Sequence, residues 1–412
     1  MKKFIKITVL LLIINSTFQI HSSFSQGGWI SQNSGTSNDL WNVHLIDTNI
    51  GTAVGSDYTI IRTTNGGTSW NSQLSGSFWN LIGVSFTDAN SGTVVGDGGT
   101  ILRTTNGGTN WNLQSSGTTN LLYDVTFNNA NTGTAVGLIG TILRTTNGGV
   151  NWTPQTSGTI WNLLSVFFTN TDEGTIVGGN GTILSTTNGG VNWTSQTSGT
   201  TNWLNGVFFT NANTGTVVGM FGTILRTTNG GTNWTPQLSG TTYDLFGIFF
   251  TDSNTGTIVG DEGTILSTTN KGMNWNPQIS GTTFDLFDIF FINANTGMIV
   301  GQGGTVLKTT NGGVFVNQIS SKVPERFSLY QNYPNPFNPT TKIKFDVKQS
   351  SNTKLIVYNI LGKEIATLVN EKLNAGSYEV SWDGTGYPSG VYFYRLSADG
   401  NVVDTRKMLL IK

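Results

Sequence analysis

Short apolar or alternating runs, separated by clusters of Gly, Asn, Ser and Thr, recur along residues 27–316. Residues 110–149 serve as the template. A strand over 110–114 carries Trp111, a second spans 122–127, and a third and fourth cover 134–137 and 141–146, with turns at 116–118, 129–133 and 138–140. Brief strands punctuated this closely by turn residues predict an antiparallel all-β unit. The same pattern returns with tryptophans at 29, 70, 111, 152, 193, 234 and 275, a constant step of 41, and with leucines at 40, 81, 122, 163, 204, 245 and 286 opening the second strand. A fixed period of this length marks a repeat architecture. Four-stranded units that cannot bury both faces alone stack radially, so the expected fold is all-β, a seven-bladed β-propeller.

The turn before each tryptophan reads Thr-Thr-Asn-Gly-Gly-Thr-Ser-Trp at residues 63–70 and nearly so in its sister units. Asn65 is expected to bond its own backbone two residues on, and Gly66 and Gly67 to take positive φ without a Cβ penalty. Trp70 is expected to pack between units, worth about 2–3 kcal/mol if its ring is buried. The seventh copy, at 309–316, has Val316 where the tryptophan belongs, while Trp29 heads a strand with no unit before it. Residues 28–32 are therefore expected to supply the outer strand of the last unit and fasten the ring.

The motif Ser/Thr-x-Asp/Asn-x-Gly-x-Ser/Thr-Trp resembles the Asp-box of sialidase-like propellers. With Leu122, Val125 and Phe127 ahead of residues 133–137 and 141–145, the fuller pattern is most similar to the seven-bladed photosystem II assembly-factor family. That resemblance spans residues 27–316 and implies the fold. It implies little about function, since such propellers serve unrelated tasks.

Charge divides the chain. Residues 26–320 hold six bases against fourteen acids, a net of −8, whereas 321–412 hold twelve bases against eight acids, a net of +4. A boundary is expected at 320, giving a propeller over 26–320, a linker over 321–326 and a C-terminal domain over 327–412. Nothing in this balance invites nucleic acid. Cysteine is absent, which excludes disulfides, thiolate metal sites and a cysteine nucleophile, and His21 and His44 are the only histidines. Lys2, Lys3 and Lys6 precede the apolar run 7–14, and Ser23-Phe24-Ser25 offers small residues to a signal peptidase. Residues 1–25 are expected to be a signal peptide, leaving no transmembrane segment in the mature chain.

Beyond residue 320 a proline cluster leads into alternating strands at 343–347, 354–359, 364–369, 377–382, 391–396 and 402–411, the pattern of a small Ig-like β-sandwich. Residues 331–339, Gln-Asn-Tyr-Pro-Asn-Pro-Phe-Asn-Pro, stand with Tyr358-Asn359-Ile360-Leu361-Gly362, Trp382-Asp383-Gly384, Pro388-Ser389-Gly390 and the terminal Lys407 to Lys412. In that order they resemble the type A C-terminal sorting domain of the type IX secretion system. The resemblance implies passage across the outer membrane, with Asn332, Pro334, Asn335, Pro336, Phe337, Gly390, Lys407 and Lys412 as sorting residues. It also implies the secretion machinery as partner and a cell-surface or extracellular location.

Candidate chemistry is sparse. A Ser-His-Asp triad needs a histidine, and the mature chain is expected to keep only His44, whose sister positions Ser85, Thr126, Phe167, Phe208, Phe249 and Phe290 mark it as an ordinary structural strand residue. Arg62, Arg103, Arg144 and Arg226 fall at one place in successive units, so they spread around the ring and cannot converge on one carboxylate. Glu173 and Glu262 lie at opposite ends of their blades and make no glycosidase pair. The turns at 47–51, 88–92 and 252–256 lack the distal glutamate of a calcium loop. No metal, cofactor or catalysis is expected.

Where the units disagree is more informative. The turn before the strand at 141–146, the connector before each leucine, and their sisters vary from unit to unit and emerge on the face opposite the Asn-Gly-Gly turns. A ligand surface is expected there. Trp79, Trp161, Trp203, Tyr243 and Phe284 would be its aromatic platforms, Met220 and Phe221 flank them, and Asp244 and Asp285 would accept hydrogen bonds. The expected function is a secreted, surface-displayed, non-catalytic binding or scaffolding propeller for a glycan or protein. The alternative is a sialidase-like glycan-degrading enzyme, with Asp244 and Asp285 as its acids.

Overall fold

The computed structural model describes residues 28–412; the expected signal peptide lies outside the described residues. Residues 30–309 form seven four-stranded antiparallel sheets. In the first, Leu40–Leu45 is innermost, followed by Gly51–Gly55, Ile60–Thr63 and the outer Asn71–Ser72. Each innermost strand packs on the next, and Leu286–Phe291 packs back on Leu40–Leu45, so the sheets close into a propeller.

The closure joins the two ends of the repeat region. Ile30–Gln32 pairs with Val306–Thr309, Ile30 opposite Lys308 and Gln32 opposite Val306. This is the register in which Thr153 faces Arg144 and Gln155 faces Ile142 within one unbroken sheet. Trp29 completes the substitution: it is buried, stands edge-on to Phe291 at 5.7 Å, and donates its Nε1–H to Gln278 Oε1 at 2.8 Å.

The repeated turn is a hydrogen-bonded cage. Thr63 Oγ1 accepts the N–H of Gly67 at 2.8 Å and donates to Asn65 Oδ1 at 3.0 Å, and that oxygen accepts the N–H of Ser69 at 2.9 Å. Asn65 thus binds four residues on rather than the expected two, because Gly66 and Gly67, at φ 68 and 85, curl the chain back toward it. Trp111 lies in one cluster with Val54 and Ile60 of the sheet before and Leu81 and Phe86 of its own, which is packing between units.

Residues beyond 315 form two four-stranded sheets around one core that includes Phe337, Phe345, Tyr378, Trp382 and Tyr394. One difference from the sequence expectation concerns Val316–Ser320. It pairs with Gly376–Asp383, Val316 opposite Val380, and so belongs by its bonding to the C-terminal sheet although it lies before the boundary drawn at 320. Ile30–Gln32 already occupies the edge this strand would have taken in the seventh sheet, and valine in place of tryptophan frees it to pack in the other core. Thr310 and Asn311, in the seventh Asn-Gly-Gly turn, bond Asn370 and Leu368. Gly386 lies against the Thr269 carbonyl, where no side chain would fit. The C-terminal sheets therefore sit on the Asn-Gly-Gly face, and the opposite face is free of them.

Candidate functional site

The variable rim is built from two connections that bond to each other. Within a sheet, the turn and the connector meet through Asp97 N–H to Asn80 O at 3.0 Å. Between sheets, the residue before each conserved leucine reaches the preceding turn. Asn80 Oδ1 accepts the N–H of Asp57, Asn162 that of Ile139, Asp244 that of Phe221 at 2.8 Å, Asp285 that of Glu262 at 3.0 Å, and Asp39 that of Gly303 at 2.8 Å. The amides so held belong to residues in left-handed backbone, Asp57, Ile139, Phe221 and Glu262 at φ 49–56, together with Gly303. That region costs an ordinary side chain roughly 1–2 kcal/mol, and the clamp offsets it. Two units lack the clamp, having Leu121 and Trp203 at that position, and the turns they face carry Gly98 and Asn180, residue types that enter the region at least cost.

The aromatic residues of the rim stand outside these clamps. Trp79, Trp161, Tyr243 and Phe284 are exposed, Trp203 and Met220 partly so, and Phe221 is 69% exposed although apolar. Trp161, Trp203, Tyr243 and Phe284 come from four consecutive sheets and make one arc; Trp79 is one sheet removed from either end of it. Trp79 lies beside Gly98, Trp203 beside Gly179 and Phe284 beside Gly303, where a Cβ would come within about 3.3–3.5 Å of the ring. Asp244 and Asp285 each have one oxygen committed to a turn amide, as the neutral Asn80 and Asn162 do. The sequence expectation makes these carboxylates ligand acceptors and overlooks the clamp. Its signal is the pairing of each clamp-free unit with a preceding Gly98 or Asn180.

Three of the six basic residues of the ring are stitches. Arg62 donates to Ala89 O at 2.6 Å, Arg144 to Gly189 O and Lys308 to Gly66 O at 2.6 Å, each reaching the next sheet. The turn at Asp47 holds the N–H groups of Asn49 and Ile50 as the neutral Asn129 holds those of Asn131 and Thr132. Among the described residues, no three His, Asp or Glu side chains gather to hold a metal ion.

A second feature, absent from the sequence expectation, is the central channel, a cavity of ≈ 480 Å³ lined by the seven inner strands. Where the chain bulges, the second residue after each leucine is Asn42, Gly83, Asp124, Ser165, Gly206, Gly247 and Asp288 in turn. Asn42 Oδ1 accepts the N–H of Val84 in the next sheet at 3.0 Å, Asp124 Oδ2 that of Val166 at 2.9 Å, and Asp288 Oδ2 that of Val43 at 3.0 Å. Asp124 and Asp288 both line the channel and are half-buried, with protein on their other sides. That loss of bulk water pushes Asp124 up and Asp288 up to about 7. His44 lies 4.6 Å from Phe290 and is lowered to about 4 by burial, so it is neutral.

The residues expected to carry sorting meet in one place. Asn332 is buried, gives its N–H to the Tyr394 hydroxyl at 2.8 Å, and donates from Nδ2 to Pro334 O and Thr341 Oγ1. Phe337 fills the core beside Trp382, its N–H bonding Leu409 O at 3.0 Å, while Asn335 Oδ1 accepts the Leu409 N–H at 2.9 Å. The Lys412 N–H bonds Ser389 Oγ, next to Gly390, and the Lys407 carbonyl accepts from Gln331. Pro334 and Pro336 stay exposed between the two anchors. The proline motif is thus fastened to the last strand of the chain.

This is a ring of antiparallel blades with a separate terminal sandwich. Residues 109–195 and 157–283 match the profile of the family described as Photosynthesis system II assembly factor YCF48, and residues 331–412 match that of the Secretion system C-terminal sorting domain. The chain therefore carries a YCF48-like propeller followed by a sorting domain, which indicates export by type IX secretion.

Among solved structures, one described as YCF48 bound to D1 peptide is 22% identical over 69% of this chain and 95% of its own, with a TM-score of 0.60. YCF48 from Cyanidioschyzon merolae is 22% identical over 68% and 98%, also at 0.60. The WD40 propeller domain of Doa1 is 11% identical over 68% and 96%, at 0.56. At these identities the likeness is one of fold. No curated protein sequence matches the chain. Among the described residues, no helix is long and apolar enough to cross a membrane.

Proposed function

We propose that the protein is a non-catalytic binding or scaffolding propeller, displayed at the cell surface or released, whose variable rim takes a sugar chain or an extended peptide. In this reading residues 1–25 direct the chain across the inner membrane, and the C-terminal sandwich addresses it to the type IX machinery. The observation that carries the proposal is the arc Trp161, Trp203, Tyr243 and Phe284, exposed on the face that the sandwich leaves open, with Phe221 held outward beside it. An apolar ring face next to amide and carboxylate edges suits a pyranose or a peptide backbone. That a YCF48 propeller of the same fold is bound to D1 peptide supports a peptide as one ligand class.

Binding of the mature chain to glycan and peptide arrays tests the proposal, with Trp161→Ala/Trp203→Ala as the comparison. Loss of signal at unchanged melting temperature is expected, whereas equal binding by the double variant refutes the rim. The glycosidase alternative is disfavoured because Asp244 and Asp285 occupy a clamp position that asparagine fills elsewhere in the ring.

A further inference from the structure

We propose that the central channel is a binding site for an organic cation, an ammonium or guanidinium on a slender apolar stem, received between Asp124 and Asp288 and among aromatic walls. This site is distinct from the rim, and the proposal does not rest on the rim's function.

The chemistry follows from what lines the channel. Toward the variable face, Trp41 and Phe287 stack at 4.5 Å, with Phe246 5.7 Å from Phe287. Toward the other face, Phe167, Phe208, Phe249, Phe290 and His44 form a continuous arc with ring centroids 4.6–5.0 Å apart. No lysine or arginine lines the cavity, and both salt bridges among the described residues lie in the sandwich. Asp288 takes hydrogen bonds from the backbone amides of Val43 and Ile289, and Asp124 from those of Val125 and Val166 and from the Ser165 side chain, so neither carboxyl meets a charged donor.

The clamp itself does not call for charge, since Asn42 makes it with a neutral amide at the sister position. Two carboxyl groups thus share a confined space that no lysine or arginine lines, and each ionises there at a cost in solvation that an occupant of opposite sign would offset. The upward displacement of both carboxyls is the signature of that cost. Aromatic faces attract cations, most strongly where water is displaced, and the volume lies within the range of small-molecule sites. A hard divalent ion seeks six or more oxygens, which rings cannot provide. An anion would meet only repulsion.

Calorimetric titration of the mature protein tests this with cadaverine, spermine and a tetralysine peptide, against pentanol and glutarate as neutral and anionic controls. Saturable one-site binding of at least one amine is expected, with pentanol and glutarate silent. Binding of cadaverine or spermine identifies a free amine as the occupant; binding of tetralysine alone identifies a partner's side chain. Asp124→Asn/Asp288→Asn should weaken that binding at least tenfold. Asn42 shows that asparagine preserves the clamp, so a melting temperature at or above wild type is expected alongside. Asp244→Asn/Asp285→Asn on the rim and Trp161→Ala/Trp203→Ala should leave amine affinity within twofold. The proposal is overturned if no amine saturates, if glutarate binds as well, or if the rim variants abolish amine binding while the channel variant retains it.

Discussion

The Asp244 carboxylate accepts the backbone N–H of Phe221 at 2.8 Å and so holds an exposed phenylalanine in left-handed backbone at the groove between two sheets. One residue thereby links scaffold and surface: the clamp belongs to the ring, and the phenyl group it positions belongs to the rim. Asparagine at 244 should preserve both, as Asn80 and Asn162 do elsewhere. Asp244→Asn is expected to change stability by less than about 0.5 kcal/mol, while Asp244→Ala hands the exposed Phe221 amide to water and should cost about 0.5–1.5 kcal/mol. Chemical denaturation measures both. Chromogenic glycosides offered to the Asn variant separate binder from enzyme, since an Asp244-dependent hydrolase would be active in the wild type and silent in the variant.

The closing strand gives a second expectation. Trp29 is buried against Phe291 and bonded to Gln278, and it is the last ring in a series that the chain otherwise places within its own unit. Trp29→Ala should cost about 3–5 kcal/mol, the range of large aromatic truncations in cores. Deleting residues 26–36 removes the strand as well and should lower the melting temperature of the whole ring in a single transition. A deletion variant that melts with the wild type would show that the ring does not depend on this seam.

The period of 41 makes the ring readable, because Gly-Gly turns and tryptophans enforce local geometry that repeats with the letters. Rim position is equally legible from which segments vary. Contacts between sheets are harder. Asp244 and Phe221 are separated by 23 residues, and an aspartate in a loop looks alike whether it meets a ligand or a backbone amide. Comparing units column by column exposes the difference, through Leu121 with Gly98 and Trp203 with Asn180. Val316–Ser320 is misplaced by sequence for a related reason: it follows the seventh Asn-Gly-Gly turn as the outer strands of the other units do, but Ile30–Gln32 holds that edge and Val316 packs in the other core.

The sorting motif supplies a third expectation. Asn332 is buried with bonds to Tyr394, Pro334 and Thr341, whereas Pro334 is exposed. Asn332→Ala removes the side-chain bonds and leaves the Pro334 carbonyl with one donor fewer, at a cost of about 1–3 kcal/mol. It should lower sandwich stability and, with it, the exported fraction measured in culture medium and surface digests. Pro334→Ala should leave the melting temperature nearly unchanged. If it nevertheless blocks export, the exposed loop is read by the machinery directly; normal export would assign the motif to folding.

Asp288 yields a prediction in pH. Its folded value of about 7 lies above the ordinary 3.8, so between those values the folded state holds a proton that the unfolded state has lost, and stability falls as pH rises. His44 acts in the opposite sense: at about 4 against 6.5, its unfolded form takes the proton first, and stability is lost as pH falls from 6.5 toward 4. Tyr123 and Asp124 also line the channel, without a lysine or arginine among them. Asp288→Asn removes the first slope while keeping an acceptor for the Val43 amide. The variant should match wild type near pH 4 and exceed it above pH 7. Three pKa units correspond to about 4 kcal/mol in a dry site; channel water screens this, so the expected gain is on the order of 1–2 kcal/mol. Thermal melts of the pair from pH 4 to 8 measure it, and a constant difference across that range would show that the Asp288 carboxyl is not held out of its usual equilibrium.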